Sequence, residues 1–325
     1  MNQKPPVAAA PTISPLAAKL LEVVRAPGGF AKIRKELERN GVPLSLQSLG
    51  ILPPTDDERR QLDFLPTDGE GHYKFAVISD MHFGHKYCMR DKLASFVRMA
   101  YAEGVRVIFV PGDWLEGNDK HKSWELTSYD LPGQIDEMLD GLPQLDGLSY
   151  HGITGNHDER FKEATGLNVG ELIEMKARKA GRSDLHLYGD FSATIELLIA
   201  GRKRPLIVHL AHPCMRKIGS TYAKSYGAQR MAGQYRNKPH ITLIGHFHFC
   251  NFSFERGVKL INCPTWKAGN DSLGRAMGGA GSSECGGLII DFQLSEKGNM
   301  RRFRPEYIEA QYEERAFRVR ARSST

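Results

Sequence analysis

The heptapeptide Gly155-Asn156-His157-Asp158-Glu159-Arg160-Phe161 (GNHDERF) is the most informative stretch of this 325-residue chain. Its glycine frees the backbone for a sharp turn, and three polar residues follow with no apolar residue between them, so the run cannot lie in a core. The preceding residues, Leu148 to Ile153, predict a β-strand. The turn therefore lies at the carboxyl end of a strand, where α/β folds gather their active sites.

Four other predicted strands end in a similar way. Each is an apolar run followed at once by residue types that bind metals: Asp80-Met81-His82, Gly112-Asp113, Ala211-His212-Pro213 and Gly245-His246-Phe247-His248. A helix predicted around Leu93 to Ala100 separates the first two strands, which indicates a β-α-β unit. Because parallel strands place their carboxyl ends on one edge of a sheet, we expect these residues to converge.

The expected cluster mixes carboxylate and amide oxygens with imidazole nitrogens. That donor set suits a first-row divalent cation better than calcium or a cysteine-type zinc site. Seven ligands exceed what one tetrahedral ion uses, whereas two ions about 3.5–4 Å apart that share one carboxylate would use all of them. We therefore expect two divalent cations, with Mn²⁺ favoured and Fe²⁺ or Zn²⁺ as alternatives.

The motifs D-x-H, G-D, G-N-H-D, a strand-end His and G-H-x-H, in that order, resemble the calcineurin-like metallophosphoesterase superfamily over about residues 72 to 295. The resemblance implies an α/β fold of two stacked mixed β-sheets flanked by helices, with two metals at the strand ends. It also implies a role for each residue: Asp80, His82 and His248 on the first metal; Asn156, His212 and His246 on the second; Asp113 bridging both; and His157 as the catalytic histidine that stabilises or protonates the leaving group.

Three positions around these motifs stay open. Trp114-Leu115-Glu116 follows Asp113, where many members have Asn, Asp or His two or three residues on. The second-metal histidine is either His212 or His209; we prefer His212 because it ends the apolar run and precedes a proline, which cannot continue a central strand. Asp158 either orients the His157 imidazole or caps the following turn.

Composition describes an ordinary globular protein with 41% hydrophobic and 25% charged residues. No apolar run reaches the roughly 18 residues that a membrane span needs, so no membrane association is expected. The five cysteines include no C-x-x-C and fit neither a disulfide framework nor a zinc ribbon. A reduced, cytoplasmic compartment is therefore expected.

The chain divides into four predicted parts. Residues 1–15 are rich in Pro and Ala and predict a disordered tail, residues 16–70 a helical arm with a linker, residues 71–300 the metallophosphoesterase domain, and residues 301–325 a basic C-terminal tail. The two helices of the arm either pack on a larger domain or form a helix-turn-helix.

Charge gives the main indication of the substrate. Nine Lys and Arg, three tyrosines and no acidic residue lie between Gly201 and Lys238. This segment predicts either a substrate-binding surface for the backbone of DNA or RNA, through Arg216, Lys217, Lys224 and Arg230, or a solvated basic helix face. The Ser220 to Tyr226 run also resembles a segment of phosphoesterases that are similar to archaeal DNA polymerase small subunits.

Three functions are compatible with these features, because the fold settles the type of bond and little else. We favour a binuclear-metal phosphoesterase that uses a metal-activated hydroxide, as a phosphodiesterase or nuclease on nucleic acid or nucleotides. The first alternative is a phosphomonoesterase of the protein-phosphatase kind. The second is a catalytically silent, nucleic-acid-associated binding subunit, which the complete ligand set disfavours.

Overall fold

Two six-stranded β-sheets stacked face to face form the centre of this protein. The computed structural model describes residues 60–67, 71–200, 202, 204–213, 238–269, 283–295 and 299–311. Both sheets mix parallel and antiparallel pairs, and helices flank them, as the resemblance implied. The predicted disordered tail and the two predicted helices of the arm lie outside the described residues.

The described residues form twelve strands, four α-helices and one short 3-10 helix. The strands of the first sheet, in spatial order, are β1 (Gln61–Asp63), β6 (Ser192–Leu198), β7 (Leu206–Ala211), β8 (Ile241–Ile244), β10 (Val258–Asn262) and β9 (Asn251–Glu255). Those of the second sheet are β12 (Met300–Glu309), β11 (Gly286–Leu294), β2 (His72–Val77), β3 (Val107–Pro111), β4 (Ser149–Thr154) and β5 (Leu185–Asp190). The helices are α1 (Arg90–Ala102), α2 (Leu131–Gly141), α3 (Asn156–Thr165) and α4 (Val169–Lys179), and the 3-10 helix is Lys120–Glu125.

Two of the strands lie in segments that the sequence assigned to a tail and to a linker. Residues 301–309, at the start of the predicted basic tail, belong to β12, which pairs with β11 in antiparallel register. Gln61–Asp63, inside the predicted linker, pair with β6 as β1. None of the helices among the described residues is long and apolar enough to cross a membrane.

The core has two main layers because the central strands are buried on both faces. In β3, for example, Phe109 faces the second layer of strands, whereas Ile108 and Val110 pack among the helices. Such strands read as continuous apolar runs rather than as alternating ones. Because both faces of the central strands are buried, the polar residues that follow these strands lie at the edge of the sheets.

The tight packing behind the Asp113 turn depends on one glycine. Trp114 is fully buried and its indole N–H donates to the carbonyl of Ile153 at 2.8 Å. A Cβ on Gly152 would lie 2.5 Å from the Trp114 ring and 2.6 Å from the carbonyl oxygen of Val110. Gly152 therefore provides the space in which Trp114 is held, directly beside Asp113.

We expect Gly152→Ala to lower the free energy of unfolding by about 1–3 kcal/mol, since overpacking of a filled core forces its neighbours to shift. Gly170→Ala in α4 is the matched control, because its Cβ would meet its nearest atom at an ordinary 3.4 Å. That substitution should leave stability unchanged or raise it by up to about 1 kcal/mol. Urea denaturation measures both, and equal stability of Gly152→Ala and the parent would contradict the packing argument.

Candidate metal centre

The seven predicted ligand residues lie together where strands of both sheets end, and their backbone is unusual. Five of them have positive φ: Asp80 (51°), His82 (53°), Asp113 (53°), His246 (78°) and His248 (56°). Among the described residues, Phe191 and Arg256 are the other non-glycine residues with positive φ. This conformation is uncommon for residues with a Cβ and persists where the surrounding structure imposes it, as at functional sites.

One group of donor atoms is formed by Asp80, His82 and His248. The Nε2 atoms of the two histidines are 3.2 Å apart, and Nε2 of His248 lies 3.2 Å from Oδ1 of Asp80. Ligand atoms at about 2.1 Å from one ion are about 3.0–3.5 Å from each other, so these separations fit a shared cation.

A second group surrounds the amide of Asn156, at the start of α3. Its Oδ1 lies 2.9 Å from Nε2 of His212 and 2.8 Å from Nδ1 of His246. Asp113 lies between the two groups, because its Oδ2 is 3.3 Å from Nε2 of His212 and 3.8 Å from Nε2 of His82. A Cβ on Gly155 would collide with the Asp113 carboxylate, so glycine is required before Asn156.

The structure distinguishes the two histidines that the sequence left open. His212 is fully buried in the cluster, and its Nδ1 lies 2.8 Å from the carbonyl oxygen of Pro111. A carbonyl can only accept, so Nδ1 carries the hydrogen and Nε2 is directed at the other donors. His209 instead contacts the hydroxyl of Thr194 on the neighbouring strand. The geometry therefore brings His212, and not His209, into the cluster.

Two predicted ligands have the charge states that metal binding requires. At His212, burial lowers the pKa, but Asp113 and Asp80 outweigh burial and raise the pKa to about 10, so a cation would have to displace its proton. Burial raises the pKa of Asp113, but the nearby imidazoles of His212 and His157 outweigh it and hold the pKa well below the usual range. Burial lowers the pKa of His82 to about 3, with Lys267 and His157 adding to the effect. At neutral pH Asp113 is therefore ionised and His82 is neutral, which are the states in which these side chains bind metals.

His157 is adjacent to the cluster, but a backbone carbonyl fixes one of its nitrogens. Its Nδ1 lies 2.8 Å from the carbonyl oxygen of Glu116, and its backbone N–H donates to Asp113 at 2.9 Å. The remaining nitrogen, Nε2, lies 3.3 Å from Nη2 of Arg160, one turn along α3. The His157 ring is packed edge-on against His82 at 4.4 Å between centroids.

A buried carboxylate that the sequence analysis did not assign connects these histidines. Oε2 of Glu116 lies 2.8 Å from Nδ1 of His82 and 3.3 Å from Nζ of Lys267, and Oε1 lies 3.4 Å from Nδ1 of His157. Burial raises the pKa of Glu116, but His157 and His82 together hold it well below the usual range. Its position three residues after Asp113 was the available signal in the sequence. Lys267 carried no such signal.

Asp158 supports the backbone of the site. Its carboxylate is fully buried and accepts from the N–H groups of Gly155 at 2.8 Å, Leu115 at 2.9 Å and Trp114 at 3.3 Å. Of the two roles considered above, this geometry supports capping, because Asp158 ties the turn after β3 to the turn that starts α3. The four predicted substrate-binding residues, Arg216, Lys217, Lys224 and Arg230, lie outside the described residues.

Two solved structures resemble the chain in part. An archaeal phosphodiesterase has 16% sequence identity and a TM-score of 0.37, with 72% of this chain and 99% of that chain covered. The zinc complex of wild-type Vps29 from Entamoeba histolytica has 14% identity and a TM-score of 0.35, with 73% and 98% covered.

Sequence comparison gives a relative and a family. The DNA polymerase II small subunit of Archaeoglobus fulgidus is 25% identical over 242 residues, which are 63% of this chain and 49% of that protein, so the chain spans about half the length of this relative. The model of the calcineurin-like phosphoesterase family matches residues 73–250, which is more than half of the chain and includes all five strand-end motifs. The chain therefore belongs to the calcineurin-like phosphoesterase family.

Proposed function

We propose that this protein is a binuclear-metal phosphodiesterase that hydrolyses phosphate diesters of nucleic acids or nucleotides. The observation that carries the proposal is the convergence of seven metal-binding side chains from two sheets beside His157, whose Nδ1 is held outside the cluster by a backbone carbonyl. A structural site would need fewer donors and no such neighbour.

In this proposal the residues have the following roles: Asp80, His82 and His248 hold one cation; Asn156, His212 and His246 hold the other; and Asp113 is shared. Two cations held there would supply activation of water and neutralisation of charge on the phosphoryl oxygens. Mn²⁺ is favoured, because oxygen and imidazole donors occur together here without a cysteine.

His157 is positioned to act on the leaving group. Its Nδ1 donates to the Glu116 carbonyl, so Nε2 is the nitrogen that can pass a proton to the departing oxygen. That transfer takes place once the ring is protonated and Arg160, which donates to Nε2 here, has turned to the phosphate. General acid catalysis of this kind contributes about 10²–10⁴-fold. Arg160, with its guanidinium beside Nε2, can donate hydrogen bonds to the phosphoryl oxygens, as arginine commonly does.

The substrate class rests on charge and on the relative. The chain carries a formal net charge of +6, with nine basic and no acidic residues between Gly201 and Lys238. The relative from Archaeoglobus fulgidus is a subunit of a DNA polymerase. Both features favour a polyanionic nucleic acid over a small phosphomonoester.

A substrate screen with Mn²⁺ tests the proposal. Bis(p-nitrophenyl) phosphate, p-nitrophenyl phosphate and labelled single- and double-stranded DNA should be compared, each with and without EDTA. We expect hydrolysis of the diester and of DNA that EDTA abolishes. Hydrolysis of the monoester alone would favour a phosphomonoesterase, and tight DNA binding without any hydrolysis would favour a silent binding subunit.

Asp113→Asn should reduce activity on bis(p-nitrophenyl) phosphate by more than about 100-fold, since loss of even an outer partner of a metal ligand costs about 10–100-fold. The bound manganese, measured by atomic emission, should fall below two ions per chain. Asp140→Asn, an exposed carboxylate on α2, is the control and should behave like the parent. An Asp113→Asn protein with two metals and full activity would refute the shared-ligand role.

His212→Ala should remove one bound cation and nearly all turnover, because its Nε2 is directed at Asn156 and Asp113. His209→Ala should keep both cations, since that ring contacts Thr194. Metal content and activity measured together distinguish the two variants. The opposite outcome, with His209→Ala losing the metal, would transfer the ligand role to His209.

Glu116→Gln should weaken manganese binding by about 10–100-fold, because an amide cannot replace a carboxylate that faces two imidazoles and an ammonium group. Lys267→Met should also weaken manganese binding. Without the ammonium group beside it, the Glu116 carboxylate stabilises the protonated form of His82, and a protonated imidazole cannot bind a metal. Lys267→Arg should restore part of the affinity.

Isothermal titration with Mn²⁺ measures the affinities of these variants. Lys179→Met, on the exposed face of α4, is the control and should bind manganese like the parent. Unchanged affinity in both Glu116→Gln and Lys267→Met would exclude a supporting role for this pair.

A further inference from the structure

The two sheets have neighbouring edges on one side of the sandwich. Among the described strands, β9 forms one edge of the first sheet and β12 forms one edge of the second. The ring of Phe254 on β9 lies 6.4 Å from the ring of Phe303 on β12, so the two edges are in contact. Phe254 on β9 pairs with Lys259 on β10. Lys259 lies three residues before Asn262, the residue of β10 nearest to the candidate metal centre. The contact between the two rings is therefore about 10 Å from that end of β10, measured along the strand.

This place combines an exposed aromatic ring with a half-buried cation. Phe254 is 68% exposed, the second highest value among the large hydrophobic side chains of the described residues. Nζ of Lys259 lies 5.4 Å from the centre of the Phe303 ring. Phe254 therefore has one side near another aromatic ring and the rest of its surface open to a ligand.

Basic residues lie on the strands and turns that carry the two rings. They lie on β12, on the turn between β9 and β10, on β10 and just before β8: Arg301, Arg302, Arg304, Arg256, Lys259 and Lys238. Arg302 and Arg304 are on the face of β12 opposite to Phe303, because side chains alternate along a strand. Arg256 is near Glu255 at 3.8 Å, and Lys238 donates to the carbonyl of Arg256. Glu255 on β9 and Glu306 and Glu309 on β12 are acidic residues of the same strands, and Asp291 on β11 lies opposite Arg304. Cations outnumber these carboxylates, so the surface is positive.

We propose that this surface, the edge patch formed by Phe254, Phe303, Lys259, Arg256, Lys238 and the arginines of β12, binds single-stranded nucleic acid. A base stacks on Phe254, and the cations of β12, of β10 and of the turn before β10 contact neighbouring phosphates of the strand. The inference rests on the proposed function, because it assigns to the same substrate a second contact that is remote from the reacting phosphate.

The chemistry of the patch favours a nucleic acid strand over an acidic protein. Both partners would satisfy the cations, but only the nucleic acid presents a flat aromatic face next to each negative charge. Single-strand binding surfaces combine these two features, a positive track with aromatic side chains on which bases stack. A protein segment made only of acidic residues would leave the exposed Phe254 ring without a matching group.

Binding of fluorescein-labelled dT20 measured by anisotropy tests the patch directly. The protein carries Mn²⁺ and the additional substitution His157→Asn, which slows hydrolysis during the measurement. Phe254→Ala should weaken binding by about 5- to 150-fold, the usual effect of removing one stacking side chain. Phe254→Tyr should bind like the parent, whereas Phe254→Leu, apolar but without an aromatic face, should resemble Phe254→Ala.

The cations are tested by the salt dependence of the same binding. Replacing Arg301, Arg302 and Arg304 together by Gln should weaken binding and reduce the slope of log K against log salt by about 0.7 for each phosphate that is no longer neutralised. Trp124→Ala is the matched aromatic control, because Trp124 is 63% exposed but lies on the 3-10 helix. It should leave binding unchanged.

Turnover separates this inference from the proposed function. With His157 intact, Phe254→Ala should raise KM for DNA while hydrolysis of bis(p-nitrophenyl) phosphate stays the same. If the parent does not hydrolyse bis(p-nitrophenyl) phosphate, the proposed function is overturned. The dT20 binding measurement would still decide whether the edge patch binds nucleic acid. Equal affinity of Phe254→Ala and the parent for dT20 would overturn the edge patch as a nucleic acid site. So would complete displacement of dT20 by poly-L-glutamate together with parent-like binding of dT20 by Phe254→Leu.

Discussion

Two buried carboxylates in one small volume are the constraint on which the rest of this structure depends. Asp80 and Asp113 are buried, and together with His212 they form a further group of donor atoms close enough to share one cation. Burial raises the pKa of each, but the neighbouring imidazoles outweigh it and hold both pKa values below the usual range, so both are ionised at neutral pH. Two negative charges cannot be buried together unless positive charge or polar donors surround them. Both aspartates also have positive φ, a conformation that persists only where the surrounding structure imposes it.

The Glu116 carboxylate is a third buried negative charge, next to the cluster, that positively charged and polar groups surround. It contacts His82, a member of the first group of donors, and His157, which we propose acts on the leaving group. The ammonium group of Lys267 lies beside it. Metal-bound histidines usually give their other nitrogen to such an acceptor, which fixes the direction of the ring. One side chain thus contacts two histidines with different proposed roles, so that a change at Glu116 is expected to affect metal binding and proton transfer together.

In our proposals, the surface that binds the nucleic acid strand and the site that hydrolyses the phosphate lie at different edges of the sandwich. Parallel strands bring the donors to one edge, where the reaction would take place, whereas the edge patch lies along β9 and β12, the outermost of the described strands on their side. Edge strands commonly carry charged residues that prevent pairing with other chains. In this protein the arginines of β12 can prevent such pairing and can also hold phosphates. Prevention of pairing alone does not explain the exposed ring of Phe254.

The sequence by itself determined the class of fold and the set of candidate metal-binding residues. Apolar runs and the polar turns that end them are local patterns, and the rule that parallel strands end on one edge converts them into a site. Contacts between distant segments were decided only by the tertiary structure. Lys267 meets Glu116 across 151 residues, and residues 301–309 form a strand because β11 offers them a partner. Neither contact leaves a local signal, since strand pairing and burial depend on which surfaces the whole chain brings together.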